Sequence, residues 1–238
     1  MKRSKQLADE INRRWYHDPV ELQAEYIHDK QPIPYEQAIK AKYRPIRPGK
    51  QWGRLWDSAW FRFTGTVPKA HAGKQVVALI DVGGEGCVFV DGSPYQGITS
   101  GDPHNLHWTK RLVPLHAKAK GGEKVSLLVE AAANGLFGGG KESFHLGECR
   151  LAWLDSKARQ LELDMRTLLS LTEKLPEGRT RRERVLRGLN EVANVWAGGR
   201  GIDECLAITA RLLSSRADAG APRVYSIGHA HLDLGWLW

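Results

Sequence analysis

The chain has 238 residues, 42% hydrophobic and 26% charged, which is ordinary for a soluble globular protein and leaves room for one large or two modest cores. Its formal net charge of +8 is scattered, and the densest run, Arg179-Thr180-Arg181-Arg182-Glu183-Arg184, contains an acid and no interleaved aromatics, so it reads as a solvated helix face and no nucleic-acid partner is expected. No stretch approaches the roughly 20 apolar residues of a bilayer span, and the polar start Met1-Lys2-Arg3-Ser4-Lys5-Gln6 is unlike a secretory signal, so no membrane partner and a cytoplasmic address are expected.

The first stretch, residues 1–48, opens with an amphipathic helix in which Leu7, Ile11 and Trp15 recur every four residues. Asp18-Pro19, Pro32, Pro34, Pro45 and Pro48 then break it into extended pieces of an N-terminal arm that wraps the domain following it.

Residues 49–155 change to short β-rich runs punctuated by glycine. Trp60 to Val67, Gln75 to Val82, Cys87 to Val90 and Val125 to Glu130 have strand length, and Asp91-Gly92 suits a tight hairpin turn because glycine tolerates positive φ. Strands at this spacing indicate a β-sandwich, jelly-roll-like or galactose-binding-like. Trp52, Trp56, Trp60 and Trp108 are candidate sugar-stacking platforms, but alternation puts Trp60 and Arg62 on one face and Phe61 and Phe63 on the other, so core packing is the expected role for some of these rings. His104-Asn105-Leu106-His107 lacks a suitably spaced carboxylate or cysteine and reads as a polar loop. Gly135 to Lys141 has the frame of a phosphate-binding loop, yet Glu142 stands where a hydroxyl residue should hold magnesium and no helix follows, so it reads as a glycine-rich connection. Cys87, Cys149 and Cys205 are far apart and form no metal or redox motif, as expected in a reducing compartment.

From 156 to 220 the period is helical. Leu161, Met165, Leu168, Leu169 and Leu175 line one helix that stops before Pro176-Glu177-Gly178; Thr180 and Glu183 suggest a capping box for a second, striped by Val185, Leu189, Val192 and Trp196 and ended by Gly198-Gly199. A third, about Ile202 to Arg216, shows Leu206, Ala210 and Leu213. These stripes are expected to bury one another as a small linker bundle.

Residues 221–238 follow the break at Gly220-Ala221-Pro222 with a strand-like run from Arg223. Extended geometry would put Tyr225, Ile227, His229, His231 and Asp233 on one face. An imidazole and a carboxylate suit zinc or a similar divalent ion, which takes about four ligands, so His231 and Asp233 are half a site; a His-rich strand end is also met as ordinary packing, and the residues alone leave both readings open.

The terminal run His229-Ala230-His231-Leu232-Asp233-Leu234-Gly235-Trp236-Leu237-Trp238 resembles the signature that opens the catalytic domain of glycoside hydrolase family 38 α-mannosidases, departing at Leu234-Gly235, where the vacuolar and bacterial branch usually shows Thr-Ala. Upstream segments resemble the same branch: Trp52-Gly53, Trp60-Phe61-Arg62-Phe63 with Gly65, Gly84-Glu85-Gly86, Val90-Asp91-Gly92, Gln96-Gly97 and Ala133 to Gly138. The likeness runs from about residue 20 onward.

The resemblance implies a jelly-roll domain ahead of a catalytic α/β domain of which this sequence holds the first strand. It assigns His231 and Asp233 to the metal, zinc or another divalent ion, and Trp236 to stacking on mannose. A retaining glycosidase needs two carboxyl groups about 5 Å apart. In the family these, and the remaining metal ligands, lie further along, so no catalytic residue is expected within this chain. The implied function is the N-terminal portion of a retaining α-mannosidase acting on terminal α-linked mannose of oligosaccharides, inactive alone, with homo-oligomers compatible with the full-length enzyme. The alternative is a stand-alone carbohydrate-binding or interaction sandwich.

Overall fold

A computed structural model of the chain describes residues 1–101, 109–134, 142–216 and 223–228. It divides into two compact units, residues 18–154 and a second unit in which residues 1–17 join the residues from 155 onward.

The first unit is a two-sheet β-sandwich. Its strands are β1 (Tyr16–Glu21), β2 (Gln23–Asp29), β3 (Arg44–Ile46), β4 (Gln51–Arg54), β5 (Ser58–Thr66), β6 (Val76–Ile80), β7 (Glu85–Val90), β8 (Ser93–Thr99), β9 (Leu112–His116), β10 (Lys124–Ala132), β11 (Ser143–His145) and β12 (Cys149–Leu154). One sheet runs β1-β12-β6-β9, the other β3-β2-β5-β10-β7-β8, and β4 pairs with β11. Strands β1 to β3 lie in the stretch expected as an extended arm and are members of these sheets.

Alternation explains the layering. In β10 every second residue, Val125, Leu127, Val129 and Ala131, is buried. Its antiparallel partner β5 turns Phe61 and Phe63 to the same inter-sheet core, where they meet Val76, Ala78, Ile80 and Leu151 of the facing sheet. Burying such a Phe side chain is worth about 1.5–3 kcal/mol. Trp60 points to the other side of β5, as the alternation predicts, and forms a second cluster with Ala38 and Tyr43. There the short helix α2 (Tyr35–Ala38) covers the sheet, with Tyr35 stacked on Phe89 at 5.3 Å and the Arg62 guanidinium 4.0 Å above the Tyr43 ring. The β7–β8 hairpin turns on Asp91 and Gly92 at φ +50° and +80°, the two-residue turn whose twist matches its strands.

The second unit is helical: α1 (Lys2–Asn12), α3 (Ser156–Lys174), α4 (Thr180–Ala197) and α5 (Ile202–Leu213) share one core built on Leu7, Ile11, Leu161, Met165, Leu168, Val185, Leu189, Val192 and Leu212. Asp155 starts α3 as a true cap, its carboxylate accepting from the amides of Lys157 and Ala158. Three expectations fail here. Arg179, not Thr180, precedes α4, and no side chain caps that helix, so the capping box does not form; Glu183 instead pairs with Arg182 at 3.3 Å. The buried face of α5 is Cys205, Ile208, Thr209 and Leu212, one residue off the Leu206-Ala210-Leu213 stripe, and Leu213 is exposed. Thr209 is drawn inward because its hydroxyl donates to the buried Asp164 carboxylate at 2.7 Å. Residues 223–228 adopt no strand, and Tyr225 is 77% exposed: an isolated extended segment leaves its amides and apolar side chains without partners, and no neighbouring strand is described for it.

Among the described residues no helix is long and apolar enough to cross a membrane.

Candidate functional site

The C-terminal residues with the most distinctive chemistry, His231, Asp233 and Trp236, lie outside the described residues, as do Trp108, His104 to His107 and the glycine run 135–141. Among the described residues no group of three or more His, Cys, Asp or Glu side chains is arranged to hold a metal ion.

The tryptophans proposed as sugar platforms separate sharply. Trp52 is 3% and Trp60 1% exposed. Each indole N–H donates to a carbonyl, Val82 for Trp52 and Ile33 for Trp60, both at 2.7 Å, so the polar edge is satisfied inside the core. Trp56 is 53% exposed and stands at φ +73°, a left-handed conformation that bulky side chains rarely adopt. The turn holds it there: the Trp56 amide donates to the Ala133 carbonyl at 2.8 Å, and Asp57 accepts from the Arg54 amide and from His28, each at 2.8 Å. Burial works against charge on Asp57, but that amide and His28 outweigh it and hold its carboxyl below the ordinary range.

A polar cleft of about 730 Å³ opens beside the ends of β6 and β12. Asp81 organises it. Its carboxylate accepts from the Gly83 amide at 2.8 Å and from the Ser100 hydroxyl, and it faces Arg111 at 3.3 Å. Arg111 continues to Glu148 at 3.6 Å, and Glu148 to Arg150 at 2.9 Å. Two carboxylates and two guanidiniums thus alternate, and neither acid stands apart as a proton donor or nucleophile. The cleft, which Glu21 and His145 also line, can offer hydrogen bonds to a polar ligand. No sequence pattern singles out this ladder, since its members come from four separate segments; only Asp81-Val82-Gly83, a local side-chain-to-backbone turn, is visible beforehand.

The three thiols are free. Burial pushes Cys149 up to about 11, away from a reactive thiolate.

Comparison with known proteins bears on what this scaffold belongs to. Residues 18–152 match the Ams1-like family model described as the jelly roll domain of α-mannosidase, nearly the whole of the sandwich unit. The chain is 30% identical over 219 residues to Alpha-mannosidase 2C1 of Homo sapiens, covering 87% of this chain and 21% of that protein. It is 25% identical to Alpha-mannosidase G of Dictyostelium discoideum over 87% of this chain and 20% of that one. Against the Alpha-mannosidase of Saccharomyces cerevisiae it is 24% identical, covering 97% of this chain and 24% of the relative. The chain therefore spans about a fifth of the length of the curated relatives it matches. With its sandwich matched almost end to end, and that match filling more than half of the sequence, this chain belongs to the Ams1-like α-mannosidase family through its jelly-roll domain.

Proposed function

We propose that this chain is the N-terminal portion of a retaining α-mannosidase that removes terminal α-linked mannose from oligosaccharides, and that its jelly roll and helical unit serve as scaffold to a catalytic domain of which residues 221–238 are the opening. The observation that carries the reading is the family match over residues 18–152. The exposed, unpaired run Arg223 to Gly228 supports it, because Val224, Tyr225 and Ile227 have the composition of a buried strand and no partner among the described residues.

In this reading His231 and Asp233 contribute two ligands to a divalent ion, zinc by donor chemistry, and Trp236 stacks on the sugar ring. The donor pair fits such an ion but fills about half of its coordination shell. When bound, the ion orients sugar hydroxyls. The two carboxyl groups that a retaining mechanism needs belong to the rest of the enzyme. Asp81, Glu148 and Asp57 do not replace them: the first two are engaged by arginines and Asp57 by His28. A cytoplasmic address and a homo-oligomeric whole enzyme complete the proposal.

The rival reading, a stand-alone carbohydrate-binding module, loses Trp52 and Trp60 to the core and keeps only Trp56 among the described candidates. An aryl α-mannoside assay with added zinc tests the proposal. The 238-residue chain should give no turnover, the same chain continued by a family catalytic domain should give turnover, and His231→Ala in that extended enzyme should abolish it. Turnover by the chain alone, or an extended enzyme indifferent to His231→Ala, would overturn it.

A further inference from the structure

A pocket of about 560 Å³ lies between the turn that joins α3 to α4 and the end of α5, in the helical unit. Four arginines line it: Arg179, Arg181 and Arg184 from the start of α4, and Arg216 from beyond α5. Arg182, in the same run, is taken by Glu183 and Glu177. The four pocket arginines ion-pair with no carboxylate among the described residues, and no acid lines the pocket. Arg181 Nη1 donates to the Arg216 carbonyl at 3.4 Å, which brings the two ends of the arginine set together.

Four like charges gathered in a concavity repel one another, and a bound anion relieves that repulsion more effectively than dispersed counterions. Guanidinium is also the fork that matches phosphate oxygens two at a time. The helix start adds to this: no side chain caps α4, so its first-turn amides have no side-chain acceptor at the positive end of the helix dipole, and Glu183, the acid of that turn, is paired with Arg182. Thr180 and Ser215 put hydroxyl donors on the same wall. No aromatic ring lines the pocket, which removes the stacking surface that a single-stranded nucleic acid would use.

We propose that this pocket binds a compact phosphate dianion, either inorganic phosphate or the phosphoryl group of a small phosphorylated sugar. Calorimetric titration and thermal melts of the 238-residue chain, with sodium phosphate against sodium chloride at matched ionic strength, test it. Phosphate should bind saturably and raise the melting temperature where chloride does not. Arg181→Gln with Arg184→Gln should weaken phosphate binding by about tenfold or more, since each removes charge-assisted hydrogen bonds. Lys2→Gln with Arg13→Gln, the same charge change at the two ends of α1, should leave it intact. If the Gln pair fails to fold, Arg181→Lys with Arg184→Lys keeps the charge but removes the fork, and weaker binding is again expected. A hexose 6-phosphate binding at least tenfold tighter than phosphate would assign the sugar phosphate as ligand; equal affinity would assign the phosphate group alone. Phosphate indistinguishable from chloride, equal loss in the α1 control, or saturation by poly-glutamate or an RNA oligomer without response to either phosphate would overturn the proposal.

Discussion

Gly83 and His145 press backbone against backbone: a β-carbon added at Gly83 would run into the His145 carbonyl oxygen, and Gly83 itself stands at φ +80°. Neither strain has a flexible side chain to absorb it. Gly83→Ala is expected to cost about 2 kcal/mol or more, from the left-handed backbone and the forced separation of the two segments. Thermal denaturation should show a melting temperature lower by roughly 4 °C or more. An unchanged midpoint would mean that the polar cleft beside Asp81 is looser than its hydrogen bonds indicate.

Two tryptophans four residues apart should respond in opposite ways. Trp60→Ala empties a site at 1% exposure and orphans the Ile33 carbonyl, so a loss of about 3–5 kcal/mol is expected in urea unfolding. Trp56→Ala removes a ring that is 53% exposed and leaves the left-handed backbone with a β-carbon as before, and should change stability by less than about 1 kcal/mol.

Thr209 and Asp164 form a buried pair that links α5 to α3. Thr209→Val keeps the shape and leaves one carboxylate oxygen without its donor, while Gln160 still serves the other at 2.6 Å. The expected cost is about 1–3 kcal/mol, with Thr209→Ser restoring most of it in the same unfolding assay. Equal stability of the valine and serine variants would show that the hydroxyl contributes nothing.

Burial raises the Glu130 carboxyl above its ordinary range. A raised carboxyl means that the folded chain holds this proton more tightly than the unfolded chain, so Glu130 opposes folding as pH rises through its folded value. Glu130→Gln should therefore melt higher than the parent at neutral pH, and the gain should fade as the pH drops toward the ordinary carboxyl range. A gain that is constant with pH would point to packing as its source.

The sandwich was largely legible because strand alternation is a local signal. Trp60 and Phe61 sit on opposite faces of β5 as the period of two requires, and Asp91-Gly92 makes the turn its residue types favour. The helices were legible as elements but less so as faces. α5 carries apolar residues on more than one side, and what selects its buried face is contact with two neighbours: α4, where Cys205 meets Val192 and Leu212 meets Gly188, and α3, where Asp164 draws Thr209 inward. The start of α4 misled because Thr180 and Glu183 have the right spacing for a capping box, while the backbone begins the helix one residue too early for it. The strand at Arg223 to Ile227 reads clearly from its residues, yet pairing is not a local property and nothing described pairs with it. For the metal and sugar residues the sequence offered a resemblance, at positions outside the described residues.

Along the sequence the β-sandwich interrupts the helical unit: α1 precedes it, while α3, α4 and α5 follow. Translation runs in one direction, so α1 emerges with Leu7 and Ile11 ready for burial long before α3 has been made. The sandwich has all its strands once β12 is out, whereas the helices must wait for the ribosome to finish a distant segment. A nascent chain stalled between β12 and α3 would hold every strand of the sandwich and an N-terminal helix still without the helices that bury it.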